Sequence, residues 1–168
     1  MDRRAFLSLT SMLLSIHANA DVDRYKYSLG IQPWDDLLGE YPYQLRKPVY
    51  EAFNDMKSDA LKEGLWLQIS SGYRTFTHQR NIWNQKFKSL AKSTQDATAI
   101  LSEITQFTAL PGTSRHHWGT DVDITDGYAY AINDPLQLKN FIEGGEYQFL
   151  AWWLSKNASK YDFYQTFT

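Results

Sequence analysis

The sequence predicts an α+β fold in one small domain. Four segments are predicted to be helical, and short apolar runs bounded by glycine or aspartate lie between and after them. Helices come first and are followed by strands interleaved with further helices, an order that favours α+β. The 168 residues suffice for one domain, and 43% hydrophobic residues suffice for its core.

The first helix is predicted to begin near Pro48, because proline is favoured in the first turn. It follows an irregular segment, residues 21–47, that is rich in aromatic residues. Gly64 is a suitable C-terminal stop. Between these limits the residues at helical spacing are Val49, Phe53, Met56, Ala60 and Leu61.

A strand is expected over residues 65–70, where Leu65, Leu67 and Ile69 share one face. Either Thr75 or Thr77 can cap the next helix. That helix carries the apolar residues Ile82, Trp83, Phe87 and Leu90. A third helix is expected over residues 94–107, on the periodicity of Ala97, Ile100, Leu101 and Ile104.

Turn-forming residues divide the rest of the chain at 111–112, 126–127 and 133–135. Residues 147–158 have the pattern of a last helix, and residues 161–167 that of a terminal strand. The elements after residue 110 are therefore short and separated by tight turns.

Composition and charge exclude several classes of protein. A net charge of −2 leaves no basic footprint for nucleic acid. Six tryptophans and eleven tyrosines suit a core with a groove that grips polar ligands through amphipathic rings. The absence of cysteine excludes disulfides, a thiol nucleophile and a cysteine zinc site. No segment after residue 20 is long and apolar enough to span a membrane.

The first 20 residues have the features of a secretory signal. A short charged start precedes an apolar run over residues 5–16, and residues 18–20 form an A-x-A cleavage site. Arg3 and Arg4 also fit a twin-arginine export signal, and a buried N-terminal helix is the structural alternative. We expect cleavage after Ala20, a domain over residues 21–168, and a periplasmic or secreted protein.

The decapeptide over residues 114–123 carries the strongest chemical signal. It places His116 seven residues before Asp123, with Gly119 between them, and the residues around Asp123 alternate as in a half-buried strand. Histidine nitrogen and aspartate oxygen are both zinc ligands, but a catalytic zinc normally has three protein ligands. Turn formation is the alternative explanation of this spacing. In an extended chain His117 would point away from His116, as a pocket wall or hydrogen-bond donor.

The motif Ser114-x-His116-x-x-Gly119-x-x-x-Asp123 resembles the signature of the zinc D-Ala-D-Ala carboxypeptidase family, which includes VanY-type carboxypeptidases, VanX-type dipeptidases and related peptidoglycan endopeptidases. The segment 70–74 with Gln79, the pair 111–112, and residues 153–163 are similar to further family motifs in the same order. We therefore expect helices packed on a central, mainly antiparallel sheet that carries a zinc site.

The resemblance implies a role for each matching residue. His116 and Asp123 would bind Zn²⁺, and Arg74 would stabilise the oxyanion or hold the substrate. Ser114, Gln79, Tyr73 and His117 would serve substrate binding, with Gln79 as a polar group behind Arg74. The alternatives are a surface ion pair for Arg74, a turn-forming Ser114 and a solvated Gln79.

The implied function is hydrolysis of the D-alanyl-D-alanine bond of peptidoglycan stem peptides by a zinc metallo-carboxypeptidase. In such a mechanism the metal activates a water, a glutamate base takes its proton, and Arg74 with the metal holds the oxyanion. We expect a monomer that binds stem peptides and no nucleic acid. A peptidoglycan endopeptidase and a non-catalytic binding module or decayed enzyme are the alternatives.

Two departures from the family pattern bear on this expectation. Asp121 stands where many members have a small residue and, on the same strand face as Asp123, could compete for the metal. The family's last motif, Glu-x-x-His or Glu-x-Trp-His, has no match, because no histidine follows His117 and Glu143 and Glu146 precede the last helix. His78 is a weak candidate for the third ligand. The simplest explanation is a C-terminally truncated copy, which we expect to bind zinc weakly and to hydrolyse slowly or not at all.

Overall fold

A computed structural model describes residues 24–129 and 132–166. The predicted signal over residues 1–20 lies outside the described residues. The described residues divide into two compact units, one formed by residues 24–34 and 74–118, the other by residues 35–73, 119–129 and 132–166. In the described residues no helix has the length and apolar character needed to cross a membrane.

The first unit is helical. A short helical stretch over residues 24–28 is followed by α2, Phe76–Leu90, and α3, Ala97–Phe107. Thr75 caps α2 by accepting the His78 amide, and Asp96 caps α3 by accepting two amides. A small apolar cluster joins the two helices through Trp83 of α2 and Ile100 and Ile104 of α3. Both helices were predicted, but the third begins at Ala97 instead of residue 94 because Asp96 caps it.

The second unit holds the larger core and all strands of the described residues. Its elements are β1, Leu37–Leu38; β2, Leu45–Arg46; α1, Lys47–Lys62; β3, Leu67–Ser71; β4, Asp123–Asp126; and α4, Gln148–Asn157. The strands pair antiparallel as β1 with β2 and β3 with β4. The α+β class is confirmed, and the expected central sheet consists of two short two-stranded ladders.

The apolar face of α1 forms much of this core. Phe53, Met56 and Ala60 are buried as the helical spacing predicts, whereas Leu61 is 50% exposed. Trp153 of α4 is 1% exposed within the same cluster. The core also contains Leu45, Leu65, Leu67, Tyr147 and Leu150. The last helix therefore packs in the cluster that α1 supplies.

The predicted terminal strand over residues 161–167 is wrong. Ala158–Tyr161 form a 3₁₀ helix, Asp162 has φ 61°, and residues 163–166 have no regular structure; residue 167 lies outside the described part. The left-handed backbone of Asp162 interrupts the extended conformation that a strand requires. The alternating side chains contact the core and α1 instead of a neighbouring strand. Tyr161 and Phe163 pack on the core while the Tyr161 hydroxyl donates to Asp59 on α1.

Candidate active site

Residues 114–118 form a tight turn of the first unit. Arg115–Trp118 is a 3₁₀ helix, in which Ser114 and His116 are 3% and 8% exposed. The His117 amide donates to the Ser114 carbonyl at 3.1 Å, and the Arg74 amide donates to the His116 carbonyl at 3.0 Å. A backbone hydrogen bond thus connects the turn around His116 to Arg74, which lies just before α2.

This turn changes the prediction for the two adjacent histidines. They lie in a 3₁₀ helix and not in an extended chain, so successive side chains are about 120° apart at three residues per turn. Arg115 and Trp118, three apart, lie together, with the guanidinium 5.5 Å from the indole centroid. His116 and His117 are buried, whereas Arg115 and Trp118 are exposed.

His117 is fully buried and hydrogen-bonded at both ring nitrogens. Nδ1 lies 2.6 Å from the Arg74 carbonyl oxygen, and the Gly112 amide donates to Nε2 at 3.0 Å. Burial, foremost, and the nearby positive charge of Arg74 lower the pKa of this imidazole, while the Arg74 carbonyl acts in the opposite sense. Both ring nitrogens of His117 are therefore engaged by backbone groups of this unit.

Arg74 and Gln79 form a second hydrogen-bonded pair in this unit. The Arg74 guanidinium donates from Nη1 to Gln79 Oε1 at 2.8 Å, and Gln79 Nε2 donates to the Ala109 carbonyl at 2.7 Å. Gln79 is 0% exposed, so the solvated-residue alternative does not hold. The side chain orients the guanidinium from behind, as a buried amide with both ends satisfied.

His78 follows the N-cap of α2 and is half-buried. Desolvation, and after it the charge of Arg74, lower the pKa of its imidazole. Both effects favour the neutral ring, which is the form that binds metals. Among the described residues, however, no group of three His, Asp or Glu side chains is placed to hold a metal ion.

Asp123 begins β4 in the second unit. It pairs with Ser71 of β3, beside a bulge between Ile69 and Ser71 that inserts one residue into the strand. The Asp123 side chain is half-buried. Asp121 precedes the strand and does not share a strand face with Asp123, which corrects the expectation for these two carboxylates.

The chain beyond β3 is held by backbone hydrogen bonds of the same unit. The Gly72 and Tyr73 amides donate to the Pro42 and Gln44 carbonyls at 3.0 and 2.6 Å. Tyr73 is 1% exposed, and its hydroxyl has no hydrogen-bond partner among the described residues. Burial, and after it the Tyr41 hydroxyl, raise the pKa of Tyr73. A neutral buried hydroxyl of this kind has the capacity to bind a polar ligand group.

Three contributors to the first unit's network were not predicted. The Trp34 indole donates to the His117 carbonyl at 2.9 Å, the Ala109 carbonyl receives Gln79, and Gly30 has no room for a side chain beside the His117 ring. Backbone carbonyls carry no sequence signal. The glycine and the tryptophan lie in the segment 21–47, which showed only aromatic enrichment.

The residue types of the motif are among those that bind zinc. His116 and Asp123 supply one imidazole and one carboxylate, the nitrogen and oxygen donors that zinc accepts. The third ligand and the glutamate base of the expected mechanism have no match in residues 1–168. His116 and Asp123 are thus the two candidate ligands that the motif offers.

Comparison with known proteins identifies the family. A sequence model of VanY, D-alanyl-D-alanine carboxypeptidase, matches residues 42–168. An uncharacterized protein of Haemophilus influenzae is 40% identical over 57 residues, 34% of this chain and 39% of that protein. The matched segment thus spans about two-fifths of that relative's length.

Solved structures show the same fold at low sequence identity. VanYB in complex with D-alanine-D-alanine has a TM-score of 0.60 and 21% identity, covering 77% of this chain and 65% of that one. A mutant of the vancomycin resistance D,D-pentapeptidase VanY in complex with Zn(II) has a TM-score of 0.58 and 23% identity, covering 80% and 74%. The LdcB LD-carboxypeptidase has a TM-score of 0.55 and 22% identity, covering 79% and 58%. From the family match over most of its length, the chain belongs to the VanY family of D-alanyl-D-alanine carboxypeptidases.

Proposed function

We propose that this protein is a zinc-dependent peptidase that hydrolyses the D-alanyl-D-alanine bond of peptidoglycan stem peptides. The observation that carries the proposal is the joining of Arg74 to the turn around His116 by the backbone hydrogen bond between them. The family match, a VanY structure with Zn(II) and the VanYB complex with D-alanine-D-alanine support it. The predicted signal favours a periplasmic or secreted location.

His116 and Asp123 would hold the metal in this proposal. Zinc bound there would supply a water of lowered pKa and would polarise the scissile carbonyl. Ser114, buried beside His116, would support the metal turn. Because no Glu-x-x-His segment lies in residues 1–168, the general base is assigned to none of these residues.

Arg74 would hold the negatively charged end of the substrate or the oxyanion. A guanidinium stays charged and donates in a planar fork that matches a carboxylate. The hydrogen bond from Nη1 to Gln79 fixes one edge of the fork, which reduces the cost of ordering it on binding. The Tyr73 hydroxyl would supply a further polar contact to the peptide.

The test is release of D-alanine from an acetylated stem peptide ending in D-alanyl-D-alanine, with and without Zn²⁺ and a chelator. Mass analysis separates the outcomes. Free D-alanine supports the carboxypeptidase, larger fragments indicate an endopeptidase, and retention on peptidoglycan without cleavage indicates a binding module.

Two variants connect the activity to the metal. His116→Ala and Asp123→Ala should each weaken zinc binding by more than about 100-fold, beyond the loss seen when only the partners of metal ligands are removed. Asp55→Ala, which removes an exposed carboxylate on α1, is the control and should bind zinc like the wild type. Unchanged zinc affinity in a His116→Ala, Asp123→Ala double variant would refute the proposal.

A further inference from the structure

The His117 imidazole is fixed in one tautomer by two backbone groups. The Gly112 amide has only a proton to give, so Nε2, at 3.0 Å, accepts it. The Arg74 carbonyl has only lone pairs to give, so Nδ1, at 2.6 Å, carries the proton and donates it. The hydrogen-bond network therefore assigns a neutral ring protonated at Nδ1.

The backbone of residue 30 closes one side of the ring. A Cβ on Gly30 would overlap Nδ1 and Cγ of the imidazole, so the backbone of residue 30 lies directly against the ring. The Trp34 indole holds the His117 carbonyl at 2.9 Å, and the Phe76 amide donates to the Gly30 carbonyl at 2.7 Å. With 0% exposure, the imidazole offers no surface for a substrate or a metal.

Arg74 is held on both sides of its α-carbon by this turn. Its amide donates to the His116 carbonyl at 3.0 Å, and its carbonyl accepts the Nδ1 proton of His117. The backbone from which the guanidinium extends is thus set by residues 116 and 117, while Gln79 holds the guanidinium itself at Nη1. Of these two backbone links, the one through His117 depends on a side chain of the turn.

We propose that His117 is a positioning residue that holds the Arg74 backbone through Nδ1–H and so aims the Arg74 guanidinium at the substrate. This rests on the proposed function, in which Arg74 binds the peptide. It replaces the predicted contact between His117 and the substrate with an indirect role. Its neighbour His116 remains the residue of this pair that would reach the metal.

Two substitutions separate the two hydrogen bonds of the ring. Asparagine places an amide N–H near the position of Nδ1, so His117→Asn can keep the bond to the Arg74 carbonyl and lose that to Gly112. Glutamine places a carbonyl oxygen near the position of Nε2, so His117→Gln can keep the bond from Gly112 and lose that to Arg74. Asp96→Ala, which removes the cap of α3 in the same unit, controls for a general loss of stability.

The first measurement is NMR of the full chain without substrate, labelled with nitrogen-15. The nitrogen-15 signals of the wild-type His117 ring should show that Nδ1 is protonated and that Nε2 is not. The side-chain Nε–H signal of Arg74 should stay sharp in the wild type, His117→Asn and Asp96→Ala, and broaden in His117→Gln. A ring protonated at Nε2, or equal Arg74 signals in the Asn and Gln variants, overturns the proposal.

The second measurement is the affinity for acetyl-D-alanyl-D-alanine and, where turnover is seen, kcat and KM. His117→Gln should lose roughly tenfold in peptide affinity, the order expected for one misaligned hydrogen bond to a charged group, and His117→Asn should stay within about threefold of the wild type. Equal losses in both variants, in step with their thermal unfolding, overturn the positioning role. A wild type that neither binds nor cleaves the peptide, with the Arg74 signals as expected, refutes the proposed function and supports the fixing of Arg74 by His117.

Discussion

The backbone amide of Arg74 donates to the carbonyl oxygen of His116 at 3.0 Å, across 42 residues of sequence. This bond brings together the segment that opens α2 and the turn that carries the histidine. The Arg74 carbonyl also contacts the His117 ring, so both backbone polar groups of Arg74 are bonded to this turn and its position is set by the fold of the first unit. A peptide bound as proposed would therefore meet an Arg74 whose backbone is already ordered.

Replacing Gln79 with leucine should lower both stability and peptide binding. The change leaves the Ala109 carbonyl and Arg74 Nη1 without the partner that Gln79 provides, at a cost of about 1–3 kcal/mol in the free energy of unfolding. Gln85→Leu, the same change at an exposed position of α2, should stay within about 0.5 kcal/mol of the wild type. Urea denaturation measures both, and equal losses would contradict the buried role of Gln79.

Comparing Asp123→Asn with Asp121→Asn tests which carboxylate binds zinc. Asp123 begins β4 and pairs with Ser71, whereas Asp121 lies outside the strand. We expect competition with a zinc indicator to show a loss of more than about 100-fold for Asp123→Asn and less than about threefold for Asp121→Asn. The reverse order would assign the metal to Asp121.

The contact between Tyr161 and Asp59 should make stability depend on pH at both extremes. The hydrogen bond to Asp59, then burial, raises the pKa of Tyr161 to about 12. Hydrogen bonds from Lys62, then from Tyr161, lower the pKa of Asp59. The contribution of Tyr161 is full below the ordinary tyrosine pKa of 10.0 and is lost as pH rises towards 12; that of Asp59 is full above 3.8 and is lost as pH falls through its lowered pKa.

The variant Tyr161→Phe should therefore lose less stability than the wild type between about pH 10 and 12. The effect is small because the pair is solvent-screened. The difference in tyrosinate absorbance between the two proteins should show one group titrating near pH 12. Tyr164→Phe, at a 72% exposed position, is the control. A Tyr161 signal at the ordinary tyrosine pKa would refute the hydrogen bond.

Gly30→Ala should be far more destabilising than Gly64→Ala. Both glycines have a positive φ, 72° and 83°, so alanine costs about 1 kcal/mol at either from the backbone alone. At Gly64 nothing lies within 4 Å of a new Cβ, whereas at Gly30 it would overlap the His117 ring and lie 2.9 Å from the Phe76 amide. We expect about 2–4 kcal/mol at Gly30 by urea denaturation, since the backbone of α2 must shift. Equal losses of stability in the two variants would show that the His117 ring moves aside for the new methyl group.

The local elements were predictable from the sequence where one interaction dominates. The spacing of Phe53, Met56 and Ala60 determines the buried face of α1, and the Thr75 hydroxyl marks the start of α2, because caps and apolar periodicity are local properties. The terminal strand was predicted wrongly, because the alternating residues around Tyr161 use their apolar side chains and hydroxyl to contact α1 instead of pairing with a strand.

The α+β class, the order of the helices and the family follow from the sequence alone, because they depend on spacing and side-chain identity. The hydrogen-bond partners of the buried polar residues follow from the fold. Gln79 reaches a carbonyl 30 residues away, and His117 reaches one 43 residues away. Backbone carbonyls are the same at every position of a sequence, so their partners become known only when the fold brings distant segments together.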